Sequence, residues 1–169
     1  MSDRNAQQTL PQDANARPGK ARKVLAFTLN GEDYAVDIAQ AKEVLEVPCI
    51  TKVPYVPDFV KGAMNLRGEI ISVLDIRPFC GLPPGKRTEQ AKVLVTDAAG
   101  SQIGILVDQV RGTMEFDPDQ VQAPLSTLEE RIQCHVVGQV RLKDHIVVWL
   151  DFRSILQSES VTRLRGMTG

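Results

Sequence analysis

The residues of this chain best suited to chemistry are two histidines, His135 and His145, three cysteines, Cys49, Cys80 and Cys134, and the aspartates Asp75 and Asp151, which close apolar runs. A histidine can act as general base, a cysteine as nucleophile or metal ligand, and a carboxylate as proton partner. The spacing works against each role. His145 adjoins Asp144 at a hairpin turn and His135 lies near a loop, and neither has a Ser or Cys nearby in a nucleophile context. Cys134 and His135 are adjacent, and neighbours in an extended strand point to opposite faces, so they cannot readily share one metal. The cysteines are odd in number and far apart, with no CxxC pair, and read as small buried or half-buried hydrophobes in a reducing cytoplasm. No GxSxG elbow, HExxH, phosphate-cradling glycine loop or dinucleotide fingerprint occurs. Asp75 and Asp151 read as caps of the turn or helix that follows each strand. Met64, Met114 and Trp149 sit in apolar runs and read as core. The expectation is a binding module with no catalytic residue, no metal and no cofactor.

Strands must position whatever this chain presents. With 169 residues, 43% of them hydrophobic, it can build one domain or two small joined units. A formal charge of -1, from 20 basic and 21 acidic residues, gives no electrostatic preference for nucleic acid or an anionic membrane. No stretch approaches the ~20 apolar residues of a membrane helix. The first residues lack the apolar core of a secretory signal, so a soluble cytoplasmic protein is expected. Residues 1–22, rich in Gln, Asn, Ala, Asp, Arg and Pro, read as a flexible tail.

Beyond them the pattern is one of hairpins. Val24 to Leu29 and Tyr34 to Ile38 flank Asn30-Gly31, a dipeptide suited to positive φ. A helical turn over Ala39 to Lys42 leads to an extended stretch at Glu43 to Val47, followed by a loop punctuated by Pro48, Pro54 and Pro57. Val60 to Leu66 and Ile70 to Leu74 flank Arg67-Gly68. Val93 to Thr96 and Ile103 to Val107 flank Ala99-Gly100, and Val136 to Leu142 and Ile146 to Leu150 flank Lys143-Asp144. A short helix is expected near Leu125 to Ile132. A terminal helix is expected from Asp151 to about Leu164, where Phe152, Ile155, Leu156 and Leu164 recur at helical spacing.

The two halves resemble each other. Shifting Gly62–Arg77 by 76 residues onto Gly138–Arg153 superposes Gly62 on Gly138, Leu66 on Leu142, Ile70 on Ile146, Leu74 on Leu150, Asp75 on Asp151 and Arg77 on Arg153. Earlier, Gly31 falls on Gly100 at an offset of 69, with Tyr34, Val36, Ile38 and Leu45 matching Ile103, Ile105, Val107 and Met114 in pattern. The expectation is an all-β chain with a few short helices. Two tandem five-stranded barrels, over about 23–90 and 91–157, would pack together and be free to exchange strands, with residues 158–169 as helix end and tail. A groove between barrels is a natural place for a partner.

The run from Val60 to Ile71, which contains Gly62, Asn65-Leu66-Arg67-Gly68 and then Val73-Leu74-Asp75, resembles the signature of the CheW-like family. Phe27-Thr28-Leu29 with Tyr34 to Ile38 resembles the family's opening hairpin, Ile103 to Val110 its second-half hairpin, and Leu150-Asp151-Phe152 with Ile155-Leu156 its end. The likeness covers about residues 23–157. It implies SH3-like barrels and a non-enzymatic adaptor that bridges the cytoplasmic tip of chemoreceptors to the regulatory domain of the histidine kinase CheA. It also implies a cytoplasmic protein recruited to membrane-associated receptor arrays. Only a short tail follows residue 157, so a receiver-domain fusion of the CheV type is not expected.

The resemblance places receptor-binding positions on Glu43, Val44, Arg67, Val107 and Val110, and leaves the kinase-facing residues unassigned. The valines would floor a groove for a receptor helix. Arg67, at a hairpin tip, would present a forked donor, either to the receptor or to a nearby carboxylate such as Glu43. Both readings stay open here. The chain departs from the family at Ser72, where Pro is common, a change expected to alter the hydrogen bonding of an edge strand. It departs again at Thr113, where an apolar groove residue is usual. A monomer in isolation is expected. The alternatives are the same scaffold in a non-flagellar chemosensory pathway, serving pili or second-messenger output, or a small-ligand or metal-dependent enzyme on a duplicated barrel.

Overall fold

Tight turns at positive φ set the strand pairing. In the computed structural model, which describes residues 21–98, 100–158 and 161, β1 (Arg22–Leu29) meets β2 (Glu32–Asp37) across Asn30 (φ 52°) and Gly31 (φ 80°). β4 (Val60–Leu66) meets β5 (Glu69–Leu74) across Arg67 (φ 51°) and Gly68 (φ 88°). β6 (Lys92–Ala98) pairs with β7 (Ser101–Val107), and β10 (Val136–Arg141) with β11 (Ile146–Leu150). Two positive φ angles in a two-residue loop match the right-handed twist of the strands they join. β3 (Glu43–Glu46), β8 (Gln109–Phe116) and β9 (Val121–Gln122) lie between hairpins.

The helices are shorter than the sequence pattern predicts. The turn before β3 is a 3-10 helix over Ile38–Gln40, with the Asp37 side chain accepting from the Ala39 amide at 2.9 Å. The helix expected from Leu125 is α1, confined to Glu130–Gln133, because Leu125 to Leu128 form a separate turn closed from the Leu128 amide to the Leu125 carbonyl. The terminal helix is α2 (Phe152–Leu156), capped by Asp151, and Leu164 lies outside the described residues. Among the described residues no helix is long and apolar enough to cross a membrane.

The strands form two sheets, ordered β8-β1-β2-β11-β10-β9 and β3-β6-β7-β5-β4. In each, a hairpin from one half of the sequence lies between a lone strand and a hairpin from the other half. The first half contributes β1 and β2 to the first sheet but β3, β4 and β5 to the second. The second half does the reverse. The halves have exchanged their opening hairpins, so neither sheet coincides with residues 23–90 or 91–157. The chain crosses between sheets at Ile38–Gln40 and at Asp108, whose amide donates to the Thr28 carbonyl at 3.0 Å.

The repeated glycines have a geometric cause. After β3 the chain curves back to β4, where Thr51 and Ala63 exchange two hydrogen bonds of 2.8 Å. After β8 it curves back to β10, where β9 pairs Gln122 with Gln139 and Val121 with Val140. Both returning segments run over a glycine. A Cβ on Gly62 would lie 2.3 Å from the Thr51 carbonyl oxygen, and one on Gly138 would lie 2.5 Å from that of Gln122. Each glycine also marks a register shift in its hairpin. These matched closures give both strand sets an SH3-like course.

Alternating side chains fill three apolar cores. Met64, Ile71, Val73, Val93, Val95 and Leu106 fill the second sheet's own core. Val24, Ala35, Phe116, Val140, Val147 and Trp149 fill that of the first. The opposite faces of the same strands meet between the sheets, where Leu25, Phe27, Leu29, Leu74, Leu94, Ile105, Leu150 and Phe152 pack with α2. Strands buried on both faces are near-continuous in apolar residues, which explains β1 and β7.

One charged hub is buried at this junction. Arg77, 2% exposed, donates to Asp75 at 3.0 Å, to Asp108, and through Nε to the Asn30 side chain at 2.7 Å. Asn30 returns its amide to Asp108 at 2.8 Å. Burial opposes the charge on Arg77, but the bonds to Asp108 and Asp75 outweigh it and keep the guanidinium protonated.

Two stability measurements follow from this geometry. Gly62→Ala and Gly138→Ala should each destabilise the fold by roughly 1–3 kcal/mol, because backbone, not a yielding side chain, blocks the new methyl. Gly31→Ala, with nothing near its Cβ position, should be affected only through its φ, Gly138→Ala only through crowding, and Gly62→Ala, at φ 146°, through both, so thermal unfolding of the three variants separates the two effects. Arg77→Met should cost about 3–5 kcal/mol in urea unfolding, since it strands two buried carboxylates. Arg153→Met, at the repeat-equivalent but exposed position, should stay within about 0.5 kcal/mol.

Candidate functional site

Each residue of Asn65-Leu66-Arg67-Gly68 has a distinct task in the β4–β5 turn. The Asn65 side chain accepts from the Gly68 amide at 2.8 Å and fixes the loop. Leu66 is buried in the core of the second sheet. Gly68 takes the second positive φ without cost, whereas Arg67 takes the first with a Cβ that disfavours it. A residue chosen only for the turn would be Asn or Gly.

Held there, the Arg67 side chain stays largely exposed and reaches across to β3. Its Nη1 donates to Glu43 Oε1 at 3.1 Å and its Nη2 to Glu43 Oε2, a two-pronged pair. That hydrogen bonding holds the Glu43 carboxyl below its ordinary range, and the same fork raises the arginine further above its own. The carboxylate that the sequence left as one option for Arg67 is therefore engaged. The pair remains at the surface, so both groups are open to a further ligand.

Val44 lies on the same strand but on its other face. Glu43 and Leu45 share the half-buried face of β3, and Val44, 43% exposed, shares the opposite one with Glu46. Val107 and Val110 lie apart from the Arg67–Glu43 pair. Val107 is 0% exposed and packs in the core between the sheets, because it alternates with Leu106, which fills the second sheet's own core. It has no surface to offer, and the position expected to floor a groove is filled by core. Val110 is half-buried on β8 and packs against the same central core.

One of the two departures falls differently from expectation. Ser72 is not on an edge strand: β5 lies between β4 and β7, and Ser72 faces Ala63 on one side and Ile103 on the other. Thr113 is exposed on β8, on the face opposite Met114, and pairs with Leu25 of the central core. Across the bulge opposite Ala26–Phe27, Val110 pairs with Phe27 of that same core, so Thr113 and Val110 share a face.

The fold brings His135 beside Ser154, a serine that the sequence alone did not pair with it. His135 is buried, its Nδ1 2.8 Å from Ser154 Oγ and its ring edge-on to Phe79. Burial pushes its pKa down, with nearby Asp151 opposing. His145 sits exposed between Asp144 (2.6 Å) and Asp33 (3.6 Å). Cys80 is half-buried, and its thiol is pushed up to about 12, first by burial and then by Asp75. Cys49 and Cys134 are exposed, not buried as expected: Cys49 lies in the proline-flanked loop and Cys134 caps α1. Among the described residues no three His, Cys, Asp or Glu side chains are grouped to hold a metal. Asp151 caps α2, and Asp75 accepts from the Arg77 amide at 3.0 Å. The buried hub that Asp75 shares with Asn30 and Asp108 escaped sequence reading. Its arginine matches Arg153 in the repeat, and nothing in the sequence separates a buried copy from an exposed one.

Comparison with known proteins agrees with this geometry. The family model for the CheW-like domain matches residues 23–160. The chain is 26% identical over 140 residues to the chemotaxis protein CheW of Klebsiella aerogenes, covering 83% of this chain and 84% of that one. It is 30% identical over 114 residues to the protein PilI of Pseudomonas aeruginosa, covering 68% of this chain and 64% of that one. The crystal structure of the scaffolding protein TtCheW from Thermoanaerobacter tengcongensis superposes with a TM-score of 0.73 at 26% identity, over 83% of this chain and 90% of that one. Match and fold converge: the chain belongs to the CheW-like domain family, whose solved member TtCheW is named a scaffolding protein.

Proposed function

We propose that this protein couples the cytoplasmic tip of chemoreceptors to the histidine kinase CheA, in the cytoplasm beneath a membrane-bound receptor array. The observation that carries the reading is Arg67, kept exposed at a left-handed turn position and forked onto Glu43 of an edge strand that exposes Val44 on its other face. A receptor tip is a helical hairpin, and a helix docks by an apolar stripe flanked by polar groups. Val44 supplies apolar contact on one face of that strand, and the Arg67–Glu43 pair supplies a donor fork and an acceptor on the other. The relatives named as chemotaxis proteins support the same role. The likeness to PilI supports a second reading, the same scaffold in a non-flagellar chemosensory pathway such as one serving pili.

The test is reconstitution of CheA autophosphorylation with a receptor fragment, with and without this protein. Stimulation that needs all three components is the expected result, and none with partners from the same organism would remove the coupling role. In that assay Arg67→Glu should weaken coupling roughly tenfold or more, as expected when one charge of an interfacial pair is reversed. The double variant Glu43→Arg with Arg67→Glu rebuilds the internal pair with its ends exchanged. Coupling should stay lost if the receptor reads Arg67. Recovery would show that the pair serves only the fold.

A further inference from the structure

A cleft of about 680 Å³ opens where the 3-10 turn after β5 meets α1 and the start of α2. Its apolar wall is Phe59 and Phe79, edge-to-face at 5.3 Å between ring centroids. His135 extends that wall, its ring 5.8 Å from Phe79.

Hydrogen-bond accounting shows which polar groups remain unspent. Ser154 Oγ donates its one proton to the Cys134 carbonyl at 2.9 Å. Toward His135 it can therefore only accept, so Nδ1, 2.8 Å away, carries the ring proton. The neutral ring then keeps Nε2 as an acceptor. Ser158 Oγ is buried with no hydrogen-bond partner among the described residues. Arg131 is engaged by Glu129 at 2.9 Å. Asp151 already accepts from the Gln40 side chain and the Arg153 amide, at 3.1 and 3.0 Å. Arg153 lines the cleft, is exposed, and its side chain forms no ion pair among the described residues. One uncompensated cation, one imidazole acceptor and one orphaned hydroxyl thus border an aromatic wall.

We propose that this cleft binds a small aromatic anion, its ring against Phe59 and Phe79 and its carboxylate or phosphate on Arg153. His135 Nε2 and the Ser158 hydroxyl would take hydrogen-bonding substituents of the same molecule. The volume falls in the range of small-molecule sites, which combine apolar walls with a few placed polar groups. The cleft shares no residue with the Glu43–Arg67 patch, so it stands or falls independently of receptor coupling.

The experiment is titration of the full-length protein with phenyl phosphate and with benzoate, followed through the ring resonances of His135 and Phe79 by NMR. Benzyl alcohol and inorganic phosphate serve as the neutral and the ring-free controls. Saturable shifts with at least one aromatic anion, and affinity reduced about tenfold or more in Arg153→Gln, are expected. The stronger of the two identifies the anionic group. No saturable shift at millimolar concentration would overturn the assignment. So would equal affinity for benzyl alcohol, or unchanged affinity in an Arg153→Gln protein of unaltered thermal midpoint.

Discussion

The apolar layer between the two sheets is the constraint on which the rest of the structure depends. Phe27, Leu29, Leu74, Leu94, Ile105, Leu150 and Phe152 meet there, and every principal hairpin contributes to it. A buried side chain of this kind stabilises by about 1.5–3 kcal/mol, so the layer outweighs any single polar contact in the molecule. Exchange of the opening hairpins makes it a joint between halves as well as between sheets, and neither half can withdraw its hairpin without exposing both cores it serves. The Arg77 hub adds direction to this non-directional force, because its bonds to Asp75, Asp108 and Asn30 hold only when the end of β5, the crossing at Asp108 and the β1–β2 turn are in register.

The packed centre leaves only the periphery for the proposed recognition surface. Residues that alternate into the central layer, Val107 among them, have no freedom to meet a partner. The exposed positions of β3 and the tip of the β4–β5 turn carry no such duty, and the tip holds an arginine where glycine or asparagine would relax the backbone. Strain at an exposed, charged, anchored residue is what a contact surface costs a hairpin. In the second sequence half the matching turn carries Lys143-Asp144, with Asp144 bound to its neighbour His145 instead of a lone strand, so the repeat has kept the fold and diverged at the surface.

Much of this was legible in the residues. Asn30-Gly31 and Arg67-Gly68 announced hairpins because a two-residue turn at positive φ has few solutions. The match of Gly62 with Gly138 announced duplication because a returning backbone crosses each position. Other features were not legible, for reasons that are physical. β8 alternates half-buried and exposed residues, with a bulge opposite Ala26–Phe27, and its burial depends on a partner from the other sequence half. Leu106 and Val107 are both buried, toward different cores, and no local pattern tells a two-faced core strand from the wall of a groove. Arg77 and Arg153 occupy matching positions, yet only the first is enclosed, because the partners Asn30 and Asp108 come from distant turns.

The most direct test of the central claim, that the β3 edge and the β4–β5 tip form the receptor-facing surface, is NMR mapping of a helical-hairpin receptor fragment onto the labelled protein. Shifts should cluster on Glu43, Val44 and the Arg67 side chain, while the methyls of Val107, sealed in the central layer, stay unmoved. Shifts centred on the Lys143–His145 turn or on β8, with Arg67 and Val44 silent, would contradict the account.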